Sequence, residues 1–145
     1  MRAENQVTEG RGAGRPRTQD LPATALAYLG DAVYELSVRE RLLAAVSRPA
    51  GSLHRQAVRL VNAAFQAEAI RFLEAELTPA ETAVFKRGRN ADPGAMPRHA
   101  DPVDYRLATG LEALVGFLYR EGQQDRLSKL MDLIFQYAAD SGVLN

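Results

Sequence analysis

The 145-residue chain has no cysteine, no tryptophan and only two histidines, His54 and His99. Without thiols there can be no disulfide, thiolate metal site or cysteine nucleophile, and two imidazoles are too few for a histidine-rich metal centre. No apolar run reaches the length of a membrane span, and the N-terminus lacks the apolar core of a secretory leader. A soluble cytoplasmic protein with no membrane partner is therefore expected. Eighteen basic residues balance eighteen acidic ones. This disfavours binding of nucleic acid through overall charge but leaves a local basic patch open. Period-two alternation is absent, as are internal repeats, a GxGxxG fingerprint, a P-loop and an HExxH motif, so strands, nucleotide cofactors and zinc hydrolysis have no support. What remains is a 46% apolar chain of a length that suits one domain with one core, and the expected class is all-α.

Residues 1–20 (MRAENQVTEGRGAGRPRTQD) carry almost no large apolar side chains and are expected to form a disordered tail ahead of a single domain over 21–145. Pro22 suits a first helical turn, and the helix that it opens should run to about Ala45, with Leu26, Leu29, Val33 and Leu36 as its buried stripe. After the break at SRPAG, Ser52 is a candidate N-cap for one long helix over 53–77, with His54, Arg55 and Arg59 off its apolar face. Thr78-Pro79-Ala80-Glu81 reads as cap, first-turn proline and capping-box glutamate for a short helix to about Arg87. Residues 86–102 (KRGRNADPGAMPRHADP) read as a long loop, functional or mobile. Two further helices are expected, from Asp104 to near Gly122 and from Asp125 to Ala139, with Arg126 and Lys129 on the solvated face of the last.

Within the first helix, Asp31 follows Gly30 beside the apolar stripe, where a lone carboxylate is costly unless it is bonded, paired or holding a cation. Glu112, in ATGLEALVG, also follows a glycine on an apolar helix. Two such acids on separate helices can converge on one divalent ion, and hard oxygen ligands suit magnesium or manganese rather than zinc. Glu35, four residues from Asp31, shares a helix face with it. Lys86, Arg87 and Arg89 with Asn90 form a compact cationic segment. Paired acids beside such a segment fit a phosphodiester-hydrolysis site, and they equally fit a helical interaction module with a solvated charged loop.

LAYLGDAVYE resembles the signature helix of the ribonuclease III family, and ATGLEALVGFLY resembles that family's second acidic helix. The likeness is closest to the Mini branch, which has the catalytic domain without a double-stranded-RNA-binding domain. It extends through LHRQAVRLVNAAFQAEA, LTPAETAVFKRGRNA and DYRLATGLEALVG, and the absence of chain beyond Asn145 fits the missing second domain. The resemblance implies an all-helical endonuclease domain acting as a homodimer on double-stranded RNA. It also implies magnesium, with manganese able to substitute, products with 5'-phosphate and 3'-hydroxyl ends, and a precursor of large-subunit (23S) ribosomal RNA as substrate. Asp31 and Glu112 fall on the metal-binding acids. Ala27, Thr24 and Thr109 stand where full-length members carry further acids, a reduction that the Mini branch shares. Tyr28 falls on the aromatic that packs into the partner subunit, although an ordinary core tyrosine would fit the same spacing. Lys86, Arg87, Arg89 and Asn90 match a basic motif that would contact RNA phosphates or anchor the loop. His54 also matches a motif position, as an RNA contact or as a surface histidine at a helix start. A non-catalytic helical dimer that binds duplex RNA in ribosome assembly is the alternative expectation.

Overall fold

The computed structural model describes residues 14–45 and 49–144; the tail expected over 1–20 lies outside them as far as residue 13. Six α-helices are described, and no strand accompanies them among the described residues. They are α1 (Ala23–Ala45), α2 (Ala50–Val61), α3 (Ala63–Leu73), α4 (Pro79–Asn90), α5 (Pro102–Arg120) and α6 (Gln124–Asp140). The packed chain begins ahead of Leu21. Thr18–Asp20 forms a turn of 3-10 helix in which Thr18 is buried and its hydroxyl donates to Glu121 Oε2 at 3.2 Å. No described helix is long and apolar enough to cross a membrane.

Helix α5 is the axis of the fold. From Leu107 to Leu118 it is buried on nearly every side, and α1, α3 and α4 all pack against it. The core forms where Leu111, Leu114 and Leu118 meet Tyr34 and Val38 of α1, Ile70 and Leu73 of α3, and Met131 and Ile134 of α6. The buried stripe of α1 differs from the expected one. Leu26, Gly30, Tyr34, Val38 and Leu42 face inward, whereas Leu36 is 57% exposed. A tyrosine can occupy this stripe because its hydroxyl donates to the Leu60 carbonyl at 2.6 Å, which removes the cost of burying it.

The long helix expected over 53–77 is two helices. Asn62, with ψ of 155°, breaks the run, and its Oδ1 accepts from Phe65 N at 2.9 Å. Its Nδ2 donates to the carbonyls of Val58 and Arg59, both at 3.0 Å, so one side chain closes α2 and opens α3. α2 starts at Ala50 with Pro49 before it, earlier than a Ser52 cap would allow. The capping box of α4 is formed by Thr78 and Glu81, but the helix runs on through Asn90. The cationic segment is therefore the last turn of a helix, and the loop is confined to 91–101. Cations there complement the partial negative charge of a helix C-terminus. α5 begins at Pro102, two residues ahead of the expected start at Asp104, and Asp101 caps it by accepting from Val103 N and Asp104 N. Arg126 is not on a solvated face: it pairs with the buried Glu81 at 2.8 Å and ties α6 to the start of α4.

Candidate active site

Helices α1 and α5 cross with their backbones in contact. A Cβ placed on Gly30 would lie 1.7 Å from the Glu112 carbonyl oxygen, and one on Gly116 would lie 2.1 Å from that of Leu26. No side chain fits between them, so glycine at both positions sets the approach. The residue after Gly30 and the residue whose carbonyl meets Gly30 are thereby brought side by side. Asp31 and Glu112 line one hollow of about 230 Å³, together with Thr24, Ala27, Tyr28, Pro93, Tyr105 and Thr109.

Burial first, then the charge of Asp31 and a hydrogen bond shared with it, push the Glu112 carboxyl up to about 8. Gln66 acts in the opposite direction: its Nε2 donates to Glu112 Oε2 at 3.5 Å. Close by, the fully buried Tyr34 hydroxyl is held above its ordinary range by burial and by the Glu112 charge. Two carboxyls forced together in a partly enclosed site are relieved by a shared proton or by a cation. Oxygen donors without imidazole or thiolate fit magnesium or manganese. Among the described residues there is no cluster of three or more His, Cys, Asp or Glu side chains, so the remaining coordination positions of such an ion would fall to water and to substrate oxygens.

Of the other expected site residues only Tyr28 lines this hollow, and the rest lie elsewhere. Lys86 and Asn90 are exposed on the last turn of α4, which leads within three residues to Pro93 at the rim. Arg89 lies over the Phe85 ring and bonds Asn90 Oδ1 at 3.0 Å. Arg87 instead reaches back to the Leu21 carbonyl at 2.8 Å and anchors the segment before α1. Tyr28 is 86% exposed, which removes the core-tyrosine reading within one chain. Glu35 bonds Arg39 at 3.2 Å on the outer surface. His54 lines a separate hollow between α1 and α2 with Arg39, Leu42 and Leu53. The sequence reading missed Tyr34, Gln66, Pro93 and Tyr105. Gln66 carried one usable sign, a polar residue in phase with the buried face of α3 four positions after the capping Asn62.

An all-helical domain that presents two acids from crossing helices, with a basic helix end on the same chain, fits the class of phosphodiester hydrolases. The ribonuclease III domain family matches residues 24–123. The chain is 49% identical to Mini-ribonuclease 3 of Symbiobacterium thermophilum over 83% of its length and 89% of that protein. It is 42% identical to Mini-ribonuclease 3 of Brevibacillus brevis over 76% and 82%. A crystal structure of a Fusobacterium nucleatum protein, 26% identical, superposes with a TM-score of 0.73 over 81% of this chain and 93% of that one. The chain belongs to the ribonuclease III family of endoribonucleases and is similar along most of its length to the Mini-ribonuclease 3 proteins.

Proposed function

We propose that this endoribonuclease cuts double-stranded RNA as a cytoplasmic homodimer, with a magnesium or manganese ion held by Asp31 and Glu112 in each chain, and that it matures a precursor of 23S ribosomal RNA. The observation that carries this reading is the hollow itself. Thr24, Ala27 and Thr109, where fuller relatives place acids, line it together with the two carboxylates that this chain keeps. The ion, when bound, supplies the charge that lowers the pKa of an attacking water and offsets charge on the departing oxygen. Asp31, which is exposed, and the half-buried Glu112 would fix its place. Lys86 and Arg89, at the end of α4, are the candidates to hold backbone phosphates. A-form RNA, read by shape, phosphates and 2'-hydroxyls, needs no base-reading element. In-line attack by water leaves a 5'-phosphate and a 3'-hydroxyl and forms no covalent enzyme intermediate.

The dimer is supported by the outer face of α1. Tyr28, Leu36 and Leu43 are 86, 57 and 67% exposed at helical spacings of eight and seven. Such an apolar stripe beside the site suits a two-fold partner, and two sites related by that axis suit the two strands of a duplex. The family likeness to the Mini branch carries the ribosomal substrate.

The lack of acids at Thr24, Ala27 and Thr109 favours the competing reading, a dimer that binds duplex RNA without cutting it. A labelled duplex incubated with wild type or Asp31→Asn, in magnesium or in chelator, separates the two. The nuclease reading expects magnesium-dependent cutting with 5'-phosphate ends, slowed by roughly 10³-fold in Asp31→Asn as several kcal/mol of charge stabilisation is lost. Binding without cutting by the wild type would replace it with the scaffold reading.

A further inference from the structure

Glu112, which lines the hollow, is met by a buried polar side chain from α3 that does not itself line it. Gln66 sits in the second turn of α3 and is only 3% exposed. A primary amide is rarely buried so far without a task for its donors, and the atom it offers, Nε2, is directed at Glu112 Oε2 from 3.5 Å. The contact is long, as catalytic hydrogen bonds often are before the substrate complex forms. Its backing is rigid. Asn62 caps α3 one turn earlier, and the Tyr34 hydroxyl holds the end of α2 through the Leu60 carbonyl, so both α1 and α3 are bonded at the end of α2.

We infer that Gln66 is a positioning residue of the site: its amide N–H holds one oxygen of Glu112 and keeps that carboxylate turned into the hollow that it shares with Asp31, ready for a divalent cation. This rests on the reading of Asp31 and Glu112 as the cation's ligands. A neutral donor is the suitable choice behind such a pair. It restrains the carboxylate without a third negative charge, and it does not compete for the cation as a lysine or arginine would by pairing with Glu112.

The test is calorimetric titration of Mn²⁺ into the RNA-free protein, run beside steady-state cleavage of a duplex. Gln66→Met keeps most of the volume and removes the donor, Gln66→Leu is a second donor-free variant should the first fold poorly, and Gln66→His restores an N–H. Loss of a group that orients a metal ligand lowers metal affinity by about 10–100-fold. The donor-free variants should show that loss with kcat reduced and KM for RNA unchanged, while their helical circular dichroism in chelator stays that of the wild type. Gln66→His should bind Mn²⁺ within about threefold of wild type. Wild-type Mn²⁺ affinity in a folded donor-free variant overturns the inference, as does a folded Gln66→His that loses as much affinity as Gln66→Met. A wild type that binds Mn²⁺ and leaves duplex RNA intact defeats the nuclease reading while the binding data uphold the role of Gln66. A wild type that binds no Mn²⁺ overturns both.

Discussion

Replacing Gly30 with alanine is expected to destabilise this protein, although alanine is favoured over glycine inside a helix by about 1 kcal/mol. The added Cβ would lie 1.7 Å from the Glu112 carbonyl oxygen, where ordinary contact begins at 3.4 Å, and the obstacle is backbone that cannot rotate away. α1 and α5 must part by well over an ångström, which opens gaps along the longest helix contact of the core. Overpacking at a tight contact costs about 1–3 kcal/mol, and the gaps add to it, so a net loss of about 2–3 kcal/mol remains after the propensity gain. For a chain of this size that lowers Tm by about 6–12 °C. Thermal unfolding followed by circular dichroism at fixed protein concentration measures it, since the Tm of the proposed dimer would depend on concentration. Gly51→Ala is the control: the nearest atom to its new Cβ is a mobile Arg55 Nη1 at 3.7 Å, so this variant should be neutral or up to about 1 kcal/mol more stable. Because Asp31 adjoins the crossing, Gly30→Ala should also cut RNA more slowly well below its melting temperature. A Gly30→Ala protein that melts at or above the wild-type temperature would refute the backbone-contact account of the site.

In chelator, Glu112 titrates at about 8 in the folded protein against an ordinary 4.5. Its protonation therefore stabilises the fold fully below pH 4.5, and this contribution is lost as pH rises through 8; Tm should fall across that window, and Glu112→Gln should flatten the fall. Glu81 has the opposite sign: its bonds with Arg126 hold its carboxyl below the ordinary range despite burial. That pair's contribution is present above pH 4.5 and disappears as pH drops, and Arg126→Met should remove the acid limb and cost about 2–4 kcal/mol at neutral pH by stranding a buried carboxylate. Lys86→Ala should weaken duplex binding and lower its salt-dependence slope by about 1 with Tm unchanged, whereas Arg87→Ala should lower Tm because it frees the Leu21 carbonyl. Tyr28→Glu should shift sedimentation to the monomer and keep the helical spectrum, since this side chain is 86% exposed within one chain.

The helical class, the family and the pairing of Asp31 with Glu112 in one hollow were legible in the sequence, because apolar periodicity and separated motifs in order survive errors in individual boundaries. The inward face of α1 was not. Leu29, Val33 and Leu36 fit the apolar period of the helix, yet a backbone crossing turns it by its glycine, and a hydroxyl bond admits Tyr34 to the core. The break at Asn62 was hidden because the apolar stripe continues on both sides of it. KRGRN has the composition of a loop, while Gly88 serves helix packing: a Cβ there would sit 2.9 Å from Gly110 Cα. Gln66, a lone polar residue among apolar neighbours, gives no hint in one dimension of which carboxylate it meets.

That second crossing, Gly88 against Gly110, has a mechanical consequence. α5 touches α1 through Gly116 and α4 through Gly110, where the Phe85 ring also packs, so close glycine contacts set the spans from the cationic end of α4 to Asp31 and Glu112. Side chains can repack by rotamer changes, whereas backbones in contact cannot. The gauge between where RNA would be gripped and where it would be cut is thus insulated from drift in the surrounding core. On the proposed reading, substitution at Lys86 or Arg89 should change the strength of the grip while the position of the cut along the duplex stays the same.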